Sequence, residues 1–116
     1  MSIKRISPGP RMSRAVVHDS TVYISGQVAD RTAGAGVAEQ TAEILEIIDG
    51  LLAQTQSHKG RLLSATIWLT DIGKFDEMNA AWEAWVVPGH TPARATVEAR
   101  LAAARYNVEI AVIAGV

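Results

Sequence analysis

The chain has 116 residues, enough for one domain around one core. Hydrophobic residues make up 48% and charged residues 20%, which excludes a chain too polar to fold. A formal net charge of −1 with no recurring basic stretch argues against nucleic acid or an anionic membrane as partner. The absence of cysteine excludes a thiol nucleophile, a disulfide framework and a zinc–thiolate site. The opening "MSIKRISPGP" lacks the apolar core of a secretory signal, and no apolar run reaches the ~20 residues of a membrane span. The expectation is a single soluble, cytoplasmic domain over residues 1–116.

In chain order, residues 3–6 form a short edge strand that "SPGP" stops. Residues 14–18 and 21–25 are two strands around a tight turn at Asp19-Ser20, after which Gly26 permits a close approach that a Cβ would block. Residues 37–56 read as a helix. Val37, Thr41, Ile44, Leu45, Ile48, Leu51 and Leu52 recur at helical steps, with Glu39, Glu43, Glu46 and Asp49 opposite them. Residues 62–70 form a strand with Leu63, Ala65, Ile67 and Leu69 on one face. A second helix over residues 74–86 gathers Phe75, Met78, Trp82, Trp85 and Val86 in one arc, and Asn79 falls inside it. The last strands span residues 93–101 and 107–114.

The order (β)ββ-α-β-α-β-β predicts an α+β domain, a single mixed sheet with two helices on one face. The strands offer apolar or neutral side chains on both faces, so the uncovered face predicts self-association. Burying several hundred Å² there at about 25 cal/mol per Å² is worth on the order of 10 kcal/mol before association costs.

Chemistry-bearing residues are sparse. "SGQVAD" lacks the spacing of a phosphate loop, and His18, His58 and His90 show no metal-ligand spacing. Ser25 has no base partner in the sequence. In "HTPARATVEAR" the odd positions from Ala93 are small and apolar and the even positions, beginning with Arg94, are polar. That alternation predicts a half-buried strand with Arg94 aimed off the apolar face. A lone strand arginine is most often solvated; the functional alternative is a planar fork binding a carboxylate. Glu109 interrupts the most apolar strand, "NVEIAVIAG", where a glutamate is either paired with Arg94 or Arg100 or functional.

"YISGQV" before a long helix, then "FDEMNAAWEAW", "PARATVEARL" and "VEIAVIA", together resemble the Rid family. These are the YjgF-type reactive intermediate deaminases, also labelled endoribonuclease L-PSP, and the chain looks like the short, YoaB-like branch of that family. The likeness runs over nearly the whole chain. It implies a chorismate-mutase-like fold, a homotrimer with clefts between subunits, and a last strand inserted between the first long strand and the strand after helix one. Arg94 and Glu109 would then stand two strands apart, about 10 Å between backbones, with room for a small ligand between their side chains. By the family pattern, Arg94 of Pro92-Ala93-Arg94 binds the substrate carboxylate and Glu109 positions the attacking water. Ser25, Gly26, Asn79 and Thr96 surround the substrate.

The implied reaction is cofactor-independent hydrolysis of a 2-imino or 2-aminoacrylate-type acid to a 2-oxo acid and ammonium. One departure concerns the cleft wall: Arg11 and Met12 stand where many members carry a tyrosine after Gly-Pro. The competing readings are a non-catalytic trimeric metabolite-binding protein using the same cleft, and a ribonuclease, against which the near-neutral charge argues.

Overall fold

The computed structural model describes residues 2–116. Six strands, β1 (Ile3–Ile6), β2 (Ala15–His18), β3 (Thr21–Gln27), β4 (Leu62–Leu69), β5 (Ala93–Glu98) and β6 (Val108–Gly115), form one sheet in the order β1-β2-β3-β6-β4-β5. The β4–β5 pair is parallel and the other pairs are antiparallel, so the sheet is mixed. Helices α1 (Val37–Gln54) and α2 (Phe75–Trp85) pack on one face. The last strand lies between β3 and β4, so the two C-terminal strands are not a hairpin.

The core lies between sheet and helices. Ile44, Ile48 and Leu52 of α1 and Met78 of α2 are fully buried, as are Val22, Ile67, Leu69, Val108 and Ile110 from the strands. Trp85 joins the two helices: its ring lies 5.5 Å from that of Trp82, and its indole N–H donates to Asp49 Oδ2 at 3.0 Å. No helix among the described residues is long and apolar enough to cross a membrane.

Four local expectations change. The first helix ends at Gln54, where Thr55 caps it and Gln56 turns into the left-handed region at φ 62°. Glu43 does not face water; it is buried and accepts hydrogen bonds from the Arg31 and Thr32 amides and the Thr32 hydroxyl. Those bonds pull its pKa below the ordinary value although burial pushes it up. Leu63 leaves the core face because the β4–β6 register slips between Leu62 and Ser64, and it is 54% exposed. Finally, β5 stops at Glu98, so residues 99–107 are a loop and Arg100 and Leu101 are outside the strand.

Candidate functional site

Register decides what β5 and β6 can do together. Across β4, Arg94 stands level with Ala65 and Val112, while Glu109 stands level with Trp68 and Val97. Ala65 and Val112 are core residues, so Arg94 and its i+2 neighbour Thr96 face the helix layer. Glu109 belongs to the opposite set and faces the open side with Ala111 and Ile113. The two residues do stand two strands apart, but a further three residues separate them along the strands, about 10 Å. The expected room for a ligand between their side chains therefore does not exist within one chain. The alternation in β5 was legible, but its inward face is the polar one; Ala93, Ala95 and Val97 are exposed on the open side.

Around Arg94 the side chain is half-buried and seated on α2. Its guanidinium carbon lies 5.7 Å from the centroid of the Phe75 ring and 5.4 Å from that of Trp82, and Nη1 points at Met78 Sδ at 4.0 Å. Burial pulls the guanidinium below its ordinary pKa, and the Glu83 carboxylate opposes that. Among the described residues no carboxylate forms a salt bridge with it. Asn79 lies on the same helical stripe as Phe75 and Trp82, four residues from the first and three from the second, and is half-buried. The Thr96 hydroxyl is buried without a hydrogen-bond partner. Arg94 and Thr96 thus face the helix layer from one strand, and Asn79 lies on the α2 stripe whose rings contact Arg94. Phe75, Met78 and Trp82 were legible only as the apolar arc of α2; the signal that ties them to Arg94 is that Asn79 shares their arc.

The second group lies on the open side. The β3–β6 register shifts between Ile24 and Gln27, so Ser25 and Gly26 form a bulge. A Cβ on Gly26 would sit 2.0 Å from Glu109 Oε2 and 2.9 Å from its Cδ. The absence of a side chain at residue 26 leaves the space that the carboxylate occupies, and any Cβ there would move the carboxylate. The Ser25 hydroxyl donates to Arg14 O at 3.1 Å and receives Gln27 Nε2 at 3.1 Å, which fixes the bulge and leaves the hydroxyl no free proton. Gln27 in turn accepts from Arg14 Nη2 at 2.8 Å. Glu109 itself is half-buried, has no salt-bridge partner among the described residues, and is pushed above its ordinary pKa by burial. The structural ion pair with Arg94 or Arg100 is absent.

All three histidines are exposed; His18 stands apart, whereas His58, which accepts from the Gly60 amide, and His90 line one shallow cavity of about 380 Å³ with Arg61 and Val87. A shallow concavity of about 260 Å³ on the open face is lined by Tyr23, Ser64, Thr66, Ala111 and Ile113, next to neither Arg94 nor the aromatic seat.

The family model described as endoribonuclease L-PSP matches residues 2–116. The chain is 45% identical over 116 residues to the RutC family protein YoaB of Escherichia coli K12, covering 100% of both chains. It is 30% identical over 107 residues to a rat 2-iminobutanoate/2-iminopropanoate deaminase, covering 88% of this chain and 77% of the relative. A crystal structure of a YjgF-family protein from Neisseria meningitidis superposes with a TM-score of 0.95 at 44% identity, covering 99% of this chain and 95% of the other.

Proposed function

We propose that this chain, which belongs to the Rid (YjgF) family, hydrolyses small 2-imino acids to 2-oxo acids and ammonium at clefts between copies of itself. The observation that carries the reading is Arg94: a half-buried guanidinium, held on two rings, with no salt bridge to a carboxylate among the described residues. A planar carboxylate from a ligand suits that fork bidentately. The rat relative's named substrates are acids of this kind.

Because Arg94 and Glu109 face opposite sides of the sheet, a site using both takes Arg94 from one copy and Glu109 from the next. A closed ring of three copies, with the open faces turned inward, satisfies this. The 47% exposed Tyr23 and 44% exposed Val97 on the open face support such burial. Arg94 holds the substrate carboxylate, and Asn79 and Thr96 flank it. Across the interface, Ser25 and Gly26 shape the wall and Glu109 orients water against the imine carbon. Water adds to that carbon as Glu109 takes one of its protons and returns it to the imine nitrogen. The carbinolamine then passes its hydroxyl proton to the amine, the carbonyl forms as the C–N bond breaks, and the released ammonia takes a proton from solvent to become ammonium. A 2-aminoacrylate first tautomerises to the imine. The free imine is already electrophilic, so orientation and a poised water are the main requirements.

The test couples the protein to a dehydratase that releases 2-aminoacrylate. Wild type speeds 2-oxo acid formation and Arg94→Ala does not; equal rates from two folded, equally assembled proteins refute the reading. The exposed Arg11 and the 62% exposed Met12, at the position of the usual tyrosine, favour a second reading. On that reading the cleft holds a 2-oxo acid without turnover, and pyruvate raises Tm through Arg94 while the coupled rate stays at background.

A further inference from the structure

The seat of Arg94 pairs one exposed ring with one buried ring. Phe75 opens α2 and remains 38% exposed, whereas Trp82, two turns later, is 5% exposed. Both rings lie against one guanidinium, and Met78 sulfur touches a third part of it. A cation over an aromatic ring is attracted to the ring's electron-rich face. Only Nη1 has a hydrogen-bond partner among the described residues, Met78 Sδ, so the other N–H groups of the fork are left for an in-plane acceptor. Glu83 is close enough to oppose the fall in the guanidinium's pKa, yet it forms no salt bridge and does not occupy those N–H groups.

We infer that Phe75 and Trp82 are positioning residues: they hold the Arg94 fork in the orientation that accepts a ligand carboxylate. The inference rests on the reading of Arg94 as carboxylate anchor. An unsupported arginine side chain samples many rotamers and must be ordered when the ligand binds; here the rings have ordered it beforehand. Removing a ring therefore weakens the carboxylate complex without altering the groups that handle water. The signature is a rise in KM with kcat preserved.

The experiment measures 2-oxobutanoate affinity and coupled turnover for wild type, Phe75→Leu, Trp82→Leu, Trp82→Phe and Arg94→Ala. It also follows the Arg94 Nε–Hε signal by NMR. Loss of either ring is expected to weaken binding roughly fivefold to twentyfold. KM should rise in parallel, kcat should stay within about twofold, and the Hε signal should lose its ring-current displacement. Trp82→Phe keeps a ring and should restore most of the affinity. Phe75 is exposed enough that its leucine variant decides the matter even where Trp82→Leu fails to fold. If Phe75→Leu binds like wild type while Arg94→Ala has lost binding, the positioning role is wrong and the anchor stands. Should Arg94→Ala also bind like wild type, anchor and seat fall together. A drop in kcat at unchanged KM would likewise overturn the positioning role.

Discussion

The two groups of polar residues are held in place by different means. Arg94 is fixed by side chains: two rings and a thioether on α2 receive it. Glu109 is fixed by backbone: a two-residue bulge in β3 clears a space that its carboxylate fills. The first arrangement tolerates graded change, because one ring of two can be lost. The second is sensitive to a single methyl, because the space holds the carboxylate in this position only while residue 26 has no side chain. They also lie on opposite faces of one sheet, so on the proposed reading each is half of a site.

The sharpest way to break this comparison is to separate the halves. Arg94→Ala and Glu109→Gln should each lose about 100-fold or more in kcat/KM when assembled alone. Mixed after denaturation and reassembly at equal amounts, they should regain about a quarter of the wild-type activity. In a ring, that fraction of clefts receives both intact residues. No recovery from properly mixed assemblies would mean that both groups act within one copy, contrary to their register.

Gly26→Ala comes next. The new methyl displaces the Glu109 carboxylate, and kcat should fall about tenfold to 100-fold with the sheet intact by circular dichroism. An alanine variant with unchanged kcat would show that Glu109 can work from elsewhere. A smaller effect concerns pH. Burial raises the Glu109 pKa, so folding favours its protonated form. The stability this adds is present below the unfolded-state pKa and is lost as pH rises through the higher folded value. Glu109→Gln should therefore gain Tm over wild type across that window, by about a degree given partial solvent access. The acid limb of wild-type kcat/KM should sit above the ordinary carboxylate range. Smallest of all, Thr41→Val removes a fully buried hydroxyl without a partner. Chemical denaturation should show about 0.5–1 kcal/mol of added stability, at unchanged turnover.

Much of this was readable from residue pattern. Helical spacing located both helices, and alternation located the long strands. Strand order was not in the pattern at all; it came with the family resemblance. Local failures have physical causes. Glu43 sits on the polar side of α1 by spacing, but the Gly-rich loop folds back and offers it two amides. Leu63 obeys alternation until a bulge removes it from register. In β5, alternation divides the residues correctly, but periodicity cannot say which set faces inward. The small apolar set resembles a core face, while the inward position at Arg94 is made habitable by rings from a helix ten residues earlier and more. Arg94 and Glu109 were legible as unusual residues; their opposite facing required the register.

The position of β6 has a bearing on how the molecule is made. The last segment of the fold is the strand on which the rest of the sheet closes, bonded to β3 on one side and β4 on the other. While the chain emerges from the ribosome, β1–β3 and β4–β5 remain two separate platforms with open edges. Neither edge is covered until residues 108–115 are delivered. Closure joins segments far apart in sequence, which makes folding slow relative to a helical domain of equal length. Loss of residues 108–115 removes the centre of the sheet and exposes two strand edges to other chains.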